Sequence, residues 1–402
     1  MSALPREDRT FTAPTAFDHI IAFVRVNAEM IGYAALILAS VIMHLWALGH
    51  MAMHHDESIH AWMSWKFFTG SGGFNCVGGR TSATYCYDPV YHGPSLYVLT
   101  LLSYFFFGIS EATARLPQAL AGIGMVASAW MLRPLLGRRA ALIAAVLLAF
   151  APTLLYYTRF ARHDGLMILW TLWIVIGFFR FLQEGRGRWL MLLAVGAALA
   201  VATHELYYIL IFLFGFFLIT RLLSELLPRR TTTIVLAVIF GLAVVGEIVA
   251  SVLTLSEKYV GIALLVATVS GVGLLLHRIW DTRPLVSARL VQAWREQRGI
   301  VWASVATFVA LYVVLYTAFF TDAWGILGAY YGISYWLGSQ QEYARGKQPW
   351  YYYLMLLPLY EPLGFFGAVS VSLALLFGSR PNREGSGVRG QELENGQLTT
   401  NN

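Results

Sequence analysis

The chain has 402 residues, of which 58% are hydrophobic and only 12% are charged. Soluble domains carry about 25% charged residues, so this composition excludes a soluble globular protein. The formal net charge is +6, but the basic residues are scattered over short loops between apolar stretches, which is the pattern of membrane topology and not of a nucleic-acid-binding surface. We therefore expect an all-α integral membrane protein with no nucleic-acid partner.

Apolar stretches divide the chain into one polytopic domain with polar ends. Residues 1–30 contain no cleavable signal peptide, so we expect a cytoplasmic N-terminal segment and a first span that stays as an anchor. Residues 31–377 form the expected transmembrane domain, and residues 378–402 form a polar, disordered cytoplasmic tail. The ten predicted spans are 31–49, 112–132, 140–158, 165–182, 189–203, 206–222, 232–253, 259–278, 300–320 and 351–377.

The apolar run 94–109 poses a choice, because as a helix it would be about 24 Å long against a hydrocarbon core of about 30 Å. If this run does not cross, 20 of the 28 lysines and arginines fall on the side that holds the N-terminus. If it does cross, only 9 of them remain there. The positive-inside rule favours the first topology, in which both termini are cytoplasmic and 94–109 is an outer juxtamembrane helix.

The outer loop 50–111 is the longest polar interruption in the front half of the chain, and it contains Asp56, Glu57 and the two cysteines. Residues 58–68 of this loop read as a short interfacial helix with tryptophans at headgroup depth. Cys76 and Cys86 lie close together in the same loop, so in an oxidising compartment we expect a disulfide.

Further polar residues are expected at the outer ends of later spans. The segment 159–164, RFARHD, has arginines that could simply anchor a helix at the membrane surface, but that interpretation leaves His163 and Asp164 unexplained. Asp56 and Glu57 could likewise be an ordinary acidic helix start. His204 and Glu205 are interpreted as a turn between two spans.

The chemistry that these residues suggest is a reaction at a lipid-linked phosphate. The sequence has no glycine-rich nucleotide loop, serine elbow, HExxH or CxxC motif. The polar residues that are left to consider are acids, cations and aromatic residues beside a bilayer. Cations can bind a phosphate leaving group, and a carboxylate can deprotonate an attacking hydroxyl.

Four segments carry a resemblance to a known superfamily: HHDESIHA (54–61), FGISEATARLPQALAG (107–122), RFARHDGLM (159–167) and ARGKQPWYYYLMLLPLYEPLG (344–364). In this order they resemble the GT-C superfamily of lipid-dependent glycosyltransferases, which includes protein O-mannosyltransferases and aminoarabinose transferases. More narrowly, the chain is similar to a prokaryotic family described as flippase activity-associated membrane proteins. The resemblance implies a GT-C-like fold and sugar transfer from a polyprenyl-phosphate donor to a glycan, lipid or protein acceptor.

The resemblance also implies roles for individual residues. Asp56 matches the acidic position that contacts the acceptor or a metal, and Glu57 is its neighbour. Arg162 and Asp164 match the outer loop that holds the lipid phosphate or a divalent ion, and Arg115 matches the arginine of the ARLP-like stretch. A divalent metal, shared by Asp56 and Asp164, is the one cofactor considered.

The resulting hypothesis is a single displacement with inversion on the outer face of the cell membrane. The predicted catalytic residues are Asp56, Glu57 and Asp164. The predicted substrate-binding residues are Arg115, Arg162, His163, Arg345 and Lys347. The alternative is a non-catalytic protein that binds or helps move a polyprenyl-linked sugar. Relatives in the narrower family continue with further hydrophobic segments, so we expect this chain to be a shortened or split version.

Overall fold

The computed structural model describes residues 16–253, 257–279, 284–338 and 352–377. The predicted tail at 378–402, the start of the predicted N-terminal segment, and both Arg345 and Lys347 lie outside these ranges. The chain forms two compact units, of which the larger holds residues 1–277 and 282–347 and the smaller holds residues 278–281 and 348–402.

Regular structure in the described residues is almost wholly helical. The helices up to residue 338 are α1 (Ala16–Leu45), α2 (His55–Thr69), α3 (Ser95–Phe107), α4 (Glu111–Ser128), α5 (Arg133–Leu136), α6 (Arg138–Phe150), α7 (Pro152–Tyr157), α8 (Asp164–Glu184), α9 (Arg188–Val201), α10 (Tyr207–Leu226), α11 (Arg229–Val252), α12 (Glu257–Ile279), α13 (Val286–Glu296), α14 (Arg298–Tyr316) and α15 (Gly328–Leu337). The smaller unit contains α16 (Tyr352–Tyr360) and α17 (Pro362–Phe377). Two short strands, β1 (Phe74–Cys76) and β2 (Arg80–Ser82), form an antiparallel hairpin.

The predicted all-α polytopic class is confirmed. Within the described ranges, 6 helical stretches are long and apolar enough to cross a membrane: Asn27–Leu45, Glu111–Leu136, Asp164–Glu184, Tyr207–Leu226, Arg229–Ala250 and Arg298–Tyr316. Shorter apolar helices lie at the predicted spans 189–203 and 259–278. The hydropathy of the sequence therefore located helices at these eight of its ten predicted spans.

The other two predicted spans, 140–158 and 351–377, are each divided into two helices. The first is interrupted at Ala151, between α6 and α7, and the second at Glu361, between α16 and α17. Both interrupting residues precede a proline, Pro152 or Pro362. A proline disfavours helical backbone in the residue before it and lacks the N–H that would continue the helix, so both breaks have the same local cause.

The run 94–109 contains helix α3, which begins at Ser95 and ends at Phe107. With 13 residues the helix is roughly 20 Å long, too short to cross a hydrocarbon core of about 30 Å. It packs against α2 and α4. A short helix in this position agrees with the juxtamembrane element that the charge distribution predicts.

The hairpin β1–β2 follows α2 and is covalently closed. Cys76 and Cys86 form a disulfide with their Cα atoms 5.4 Å apart, as their shared loop predicts. The buried rings of Phe74, Tyr85 and Tyr97 pack around it. The outer loop is therefore an ordered structure with a small apolar core of its own.

Helices α8 and α9 form a tightly packed antiparallel pair in the larger unit. A Cβ atom on Gly177 would lie 2.8 Å from the backbone nitrogen of Leu193, and one on Gly196 would lie 3.2 Å from the carbonyl oxygen of Trp170. Small residues at these positions let the two backbones approach closely, as in many membrane helix pairs. The pairing places the segment before α8 and the segment after α9 at the same end, and these segments carry His163 and Glu205.

Candidate functional site

Four segments meet at this end of the helices: the start of α2, residues 88–95, the loop between α7 and α8, and the turn between α9 and α10. Backbone hydrogen bonds join two of them, residues 88–95 and the turn between α9 and α10. The amide of Gly93 donates to the carbonyl of Thr203 at 3.1 Å, and the amide of Ser95 donates to the carbonyl of Ala202 at 2.8 Å. The candidate site is therefore assembled from segments that are distant in the sequence.

Arg115 and Glu57 form the buried foundation of the site. The two side chains are 3% and 2% exposed, and Arg115 donates to both Glu57 oxygens, Nε to Oε1 at 2.8 Å and Nη2 to Oε2 at 2.9 Å. The remaining guanidinium N–H groups donate to the carbonyls of Leu48, Met51 and Ala52. A guanidinium has five N–H donors, so Arg115 has all of them engaged within the protein.

Glu57 is similarly saturated. Besides Arg115, its carboxylate accepts hydrogen bonds from the backbone amides of Ala161 at 2.9 Å and His54 at 3.0 Å. Burial opposes ionisation of this carboxyl, but the hydrogen bonds from Arg115, Ala161 and His54 prevail and hold the pKa of Glu57 below its ordinary value. The pair joins the start of α2 to α4 and to the loop before α8.

These contacts concern two residues that the sequence places in the site, Glu57 as a catalytic residue and Arg115 as a substrate ligand. In this structure the hydrogen-bonding groups of both are engaged within the protein. The pair also ties the start of α2, which carries Asp56, to the loop that carries Arg162.

Asp56, Arg162 and Asp164 form an accessible cluster of charges, as the sequence predicts. Nη1 of Arg162 lies 3.2 Å from Oδ2 of Asp56, and its Nε lies 3.5 Å from Oδ2 of Asp164. The three side chains are 32%, 41% and 31% exposed, in the order Arg162, Asp56, Asp164. The guanidinium of Arg162 thus lies between the two carboxylates, which is where the sequence suggests a divalent ion.

The backbone beneath Arg162 is held by α4. The side-chain amide of Gln118, which is fully buried, donates to the carbonyl of Arg162 at 2.6 Å. Arg159, three residues earlier, donates to the carbonyls of Met43 and Trp46 near the end of α1. Arg159 thus anchors the loop, whereas Arg162 is left partly exposed at the site.

His163, which the sequence suggests as a phosphate ligand, is buried. Its side chain is 1% exposed, and its Nε2 contacts the carbonyl of Gly93 at 3.2 Å, so that nitrogen carries the proton. Burial, reinforced by the neighbouring histidines His60, His92 and His204, lowers the pKa of His163 well below its ordinary value. In this structure the imidazole is therefore neutral and offers no charge to a phosphate.

A cluster of histidines around His163 is the main feature that the sequence analysis missed. The ring centroid of His163 lies 4.9 Å from that of His60, 5.2 Å from His92 and 6.2 Å from His204. Burial is also the main cause that lowers the pKa of both His60 and His204 to about 3. The rings of His60 and His204 are therefore neutral at physiological pH.

Glu205 adds a carboxylate to the histidine cluster. His92 Nδ1 lies 2.7 Å from Glu205 Oε2, and the hydroxyl of Tyr87 donates to Oε1 at 3.1 Å. His204 and Glu205 form the turn that the sequence predicts. Their interruption of an apolar stretch was also a signal of the cluster.

Two cavities lie among the helices that carry the site. One of about 470 Å³ is lined by the loop between α1 and α2, the start of α2, and α7 with the residues that follow it, and its lining includes Glu57, Arg115 and Arg159. Another of about 320 Å³ lies among α3, α4 and α8 and is lined mainly by apolar side chains such as Leu99, Phe106 and Trp170. Because α8 begins at Asp164, this apolar cavity and the exposed charges share a helix.

Comparisons with known proteins find similarity to glycosyltransferases over part of the chain. Residues 91–246 match the family described as dolichyl-phosphate-mannose-protein mannosyltransferase. The chain is 30% identical over 129 residues to a putative mannosyltransferase, YkcB, of Bacillus subtilis (strain 168), a stretch that covers 31% of this chain and 18% of the relative. The chain thus spans less than a fifth of that relative.

A solved structure is also similar in its chain trace. It is the archaeal oligosaccharyltransferase AglB from Archaeoglobus fulgidus, in complex with an inhibitory peptide and a dolichol-phosphate. The TM-score is 0.45 with 14% sequence identity, and the alignment covers 88% of this chain and 45% of that one.

Proposed function

We propose that this glycosyltransferase-like membrane protein of the GT-C superfamily transfers a sugar from a polyprenyl-phosphate donor to an acceptor. The superfamily assignment rests on the sequence motifs and on the family match over residues 91–246. The proposal includes the polyprenyl-phosphate donor and an acceptor that is a glycan, lipid or protein. It also includes a reaction on the outer face of the cell membrane and a topology in which both termini are cytoplasmic.

The observation that carries the proposal is the accessible cluster of Asp56, Arg162 and Asp164. Arginine binds phosphate well because its planar guanidinium donates several hydrogen bonds and stays charged. Arg162 is partly exposed and is oriented by a carboxylate on either side. A phosphate that approaches this cluster would meet one cation and, beside it, a carboxylate able to accept a proton.

The proposed reaction is a single displacement with inversion at the anomeric carbon. Asp56 accepts the proton of the acceptor hydroxyl, whose oxygen forms the new glycosidic bond. The bond between the anomeric carbon and the phosphate oxygen breaks at the same time, and its electrons leave with the phosphate. Arg162 stabilises the negative charge that develops there, and Asp164 keeps the guanidinium in position.

The apolar cavity supports a lipid-linked donor. It lies among α3, α4 and α8, and α8 begins at Asp164, so an apolar surface and the charged cluster are joined through one helix. A polyprenyl chain can occupy such a surface while its phosphate reaches Arg162. Arg345 and Lys347, which lie outside the described residues, stay in the proposal as further cations that close over the phosphate.

A non-catalytic role is the second candidate, and one contact favours it. The Asp56 carboxylate is engaged by Arg162 in this structure, so it is not presented to an acceptor as a free base. A protein that binds a polyprenyl-linked sugar, or helps to move it, needs the cation and the apolar cavity but not the base.

One experiment distinguishes the two functions. Transfer of labelled sugar is measured from a panel of polyprenyl-phosphate sugars in membranes that contain the full chain, its Asp56→Asn variant or its Glu111→Gln variant. Glu111 is an exposed acid at the start of α4 and serves as the matched control. Loss of a general base lowers transfer by roughly 10²- to 10⁴-fold.

The outcome expected for an enzyme is transfer by the unaltered protein and by Glu111→Gln, with transfer lost in Asp56→Asn while donor lipid still binds. Undiminished transfer in Asp56→Asn would remove the base from the mechanism. Binding of the lipid without transfer in any form would establish the second candidate instead.

A further inference from the structure

We propose that His92, His204 and Glu205 bind a divalent transition-metal ion, with Zn²⁺ as the cation best suited to them. The potential ligand atoms of these three residues all lie within 4.8 Å of one another. Two imidazole nitrogens and one carboxylate oxygen form the ligand set of many zinc sites that keep a fourth position open. This site is separate from the Asp56 and Asp164 pair, where Arg162 lies between the carboxylates.

The protein holds the Glu205 carboxylate in a fixed position. Its Oε1 accepts a hydrogen bond from Tyr87, which is fully buried, and its Oε2 lies 2.7 Å from His92 Nδ1 and 3.8 Å from His204 Nδ1. Metal-binding carboxylates are commonly oriented by such an outer hydrogen bond. Nδ1 of His204 accepts a hydrogen bond from the amide of Leu206 at 3.2 Å, so metal binding through that nitrogen would replace this bond.

Neighbouring residues hold both the ring and the backbone of His92 in a defined conformation. Its ring is stacked between His204, at 4.1 Å between centroids, and Trp336, at 4.7 Å. Its backbone has φ of 65°, a left-handed conformation that is uncommon for residues other than glycine. Backbone of this kind persists where surrounding contacts impose it and is concentrated at functional sites.

A buried imidazole nitrogen lies beside the proposed ligands. Nδ1 of His163 is buried and has no hydrogen-bond partner among the described residues, whereas its Nε2 contacts the carbonyl of Gly93. The ring lies 5.2 Å from His92 and 6.2 Å from His204 between centroids. His163 is a neighbour of the proposed ligand set and not a member of it.

The competing explanation is a metal-free polar network, in which His92 donates to Glu205 and the histidines only pack together. That network accounts for the 2.7 Å contact. His163 does not belong to the proposed ligand set, so its Nδ1 does not separate the two explanations. Metal analysis separates the two explanations without any measurement of sugar transfer, so the proposal stands or falls independently of the proposed function.

The test uses the full chain, purified in detergent, stripped with a chelator, reloaded with Zn²⁺ and freed of excess metal. Elemental analysis should then find about one zinc ion per chain. Loading with Co²⁺ should produce the visible absorption bands of a tetrahedral site. Wild-type protein that retains no stoichiometric metal would overturn the proposal whatever the variants do.

Variants assign the ligands. His92→Ala and His204→Ala should each lose stoichiometric zinc, and Tyr87→Phe should weaken binding roughly 10- to 100-fold because the carboxylate loses its outer partner. His50→Ala, at an exposed histidine outside the cluster, is the matched control and should bind one ion. Gel filtration of each variant checks that it is folded, and unchanged zinc in both folded histidine variants would refute the assignment.

Discussion

Asp56 and Glu57 are neighbours in the sequence, yet their carboxylates lie in opposite surroundings. Asp56 is 41% exposed and meets Arg162, whereas Glu57 is 2% exposed and is bound by Arg115. Successive residues of a helix point in directions about 100° apart, so only one acid of such a pair can face the interior. Substitution of the two acids should therefore separate chemistry from stability.

Glu57→Gln should destabilise the protein strongly. The change leaves the buried Arg115 without its counter-charge, and removal of one partner of a buried ion pair typically costs about 3 to 5 kcal/mol. Thermal unfolding in detergent measures the loss. Asp56→Asn is the matched comparison and should unfold within a few degrees of the unaltered chain. Equal unfolding temperatures for Glu57→Gln and the unaltered protein would contradict the positioning role.

Gly93→Ala should also destabilise the protein, because a Cβ atom at this position would lie 2.3 Å from the carbonyl oxygen of Ala202. The obstacle is backbone and cannot rotate away, and overpacking of this kind costs about 1 to 3 kcal/mol. Gly215→Ala is the control, since nothing lies within 4 Å of its Cβ position. A Gly93→Ala protein as stable as the Gly215→Ala protein would show that residues 88–95 can move away from the turn after α9.

Stability should fall as the pH falls below about 6.5, partly because of His60. Burial lowers the pKa of His60 to about 3, with Arg162 and His92 acting in the same direction and Asp56 against it. The unfolded chain binds a proton below the ordinary pKa of 6.5, whereas the folded protein does not. Above pH 6.5 the buried, neutral His60 therefore costs no stability. As the pH falls from 6.5 towards 3, the free energy of unfolding decreases, by about 2 kcal/mol at pH 5.

The measurement for His60 is thermal unfolding between pH 7 and pH 5 in the presence of a chelator. His60→Gln keeps a side-chain donor for the hydroxyl of Tyr97, which lies 2.8 Å from His60 Nδ1, but removes the titration. Its unfolding temperature should depend less steeply on pH than that of the unaltered chain. A His50→Gln control should keep the full slope, and parallel slopes for all three proteins would exclude His60 as a cause.

Much of the fold could be predicted because it depends on local properties of the sequence. Hydropathy located the long helices, and the distribution of lysines and arginines favoured a helix at 94–109 that does not cross. The interruptions at Ala151 and Glu361 had a local signal as well, since a proline follows each of them. Hydropathy averaged over a window does not register such a break.

The candidate site could be predicted only in part. The predicted topology puts Asp56, Arg162 and Asp164 on the same side of the membrane, and the three side chains do lie together. It was not enough to show that Glu57 and Arg115 saturate each other, because that depends on which side of each helix faces inward. The contact between His92 and Glu205 joins residues 113 positions apart and depends on the close packing of α8 with α9.

The disulfide has a consequence for the order in which the protein is assembled. Cys86 is followed directly by Tyr87, whose hydroxyl donates to Glu205 and whose carbonyl accepts from the amide of Val77 beside Cys76. Both cysteines are synthesised long before Glu205, so oxidation can close this ring while the later helices are still being made. The closed ring holds Tyr87 ready as a docking point and lowers the entropy cost of binding the turn that arrives last. Reduction of the disulfide should therefore loosen Tyr87 and, through it, the position of Glu205 in the histidine cluster.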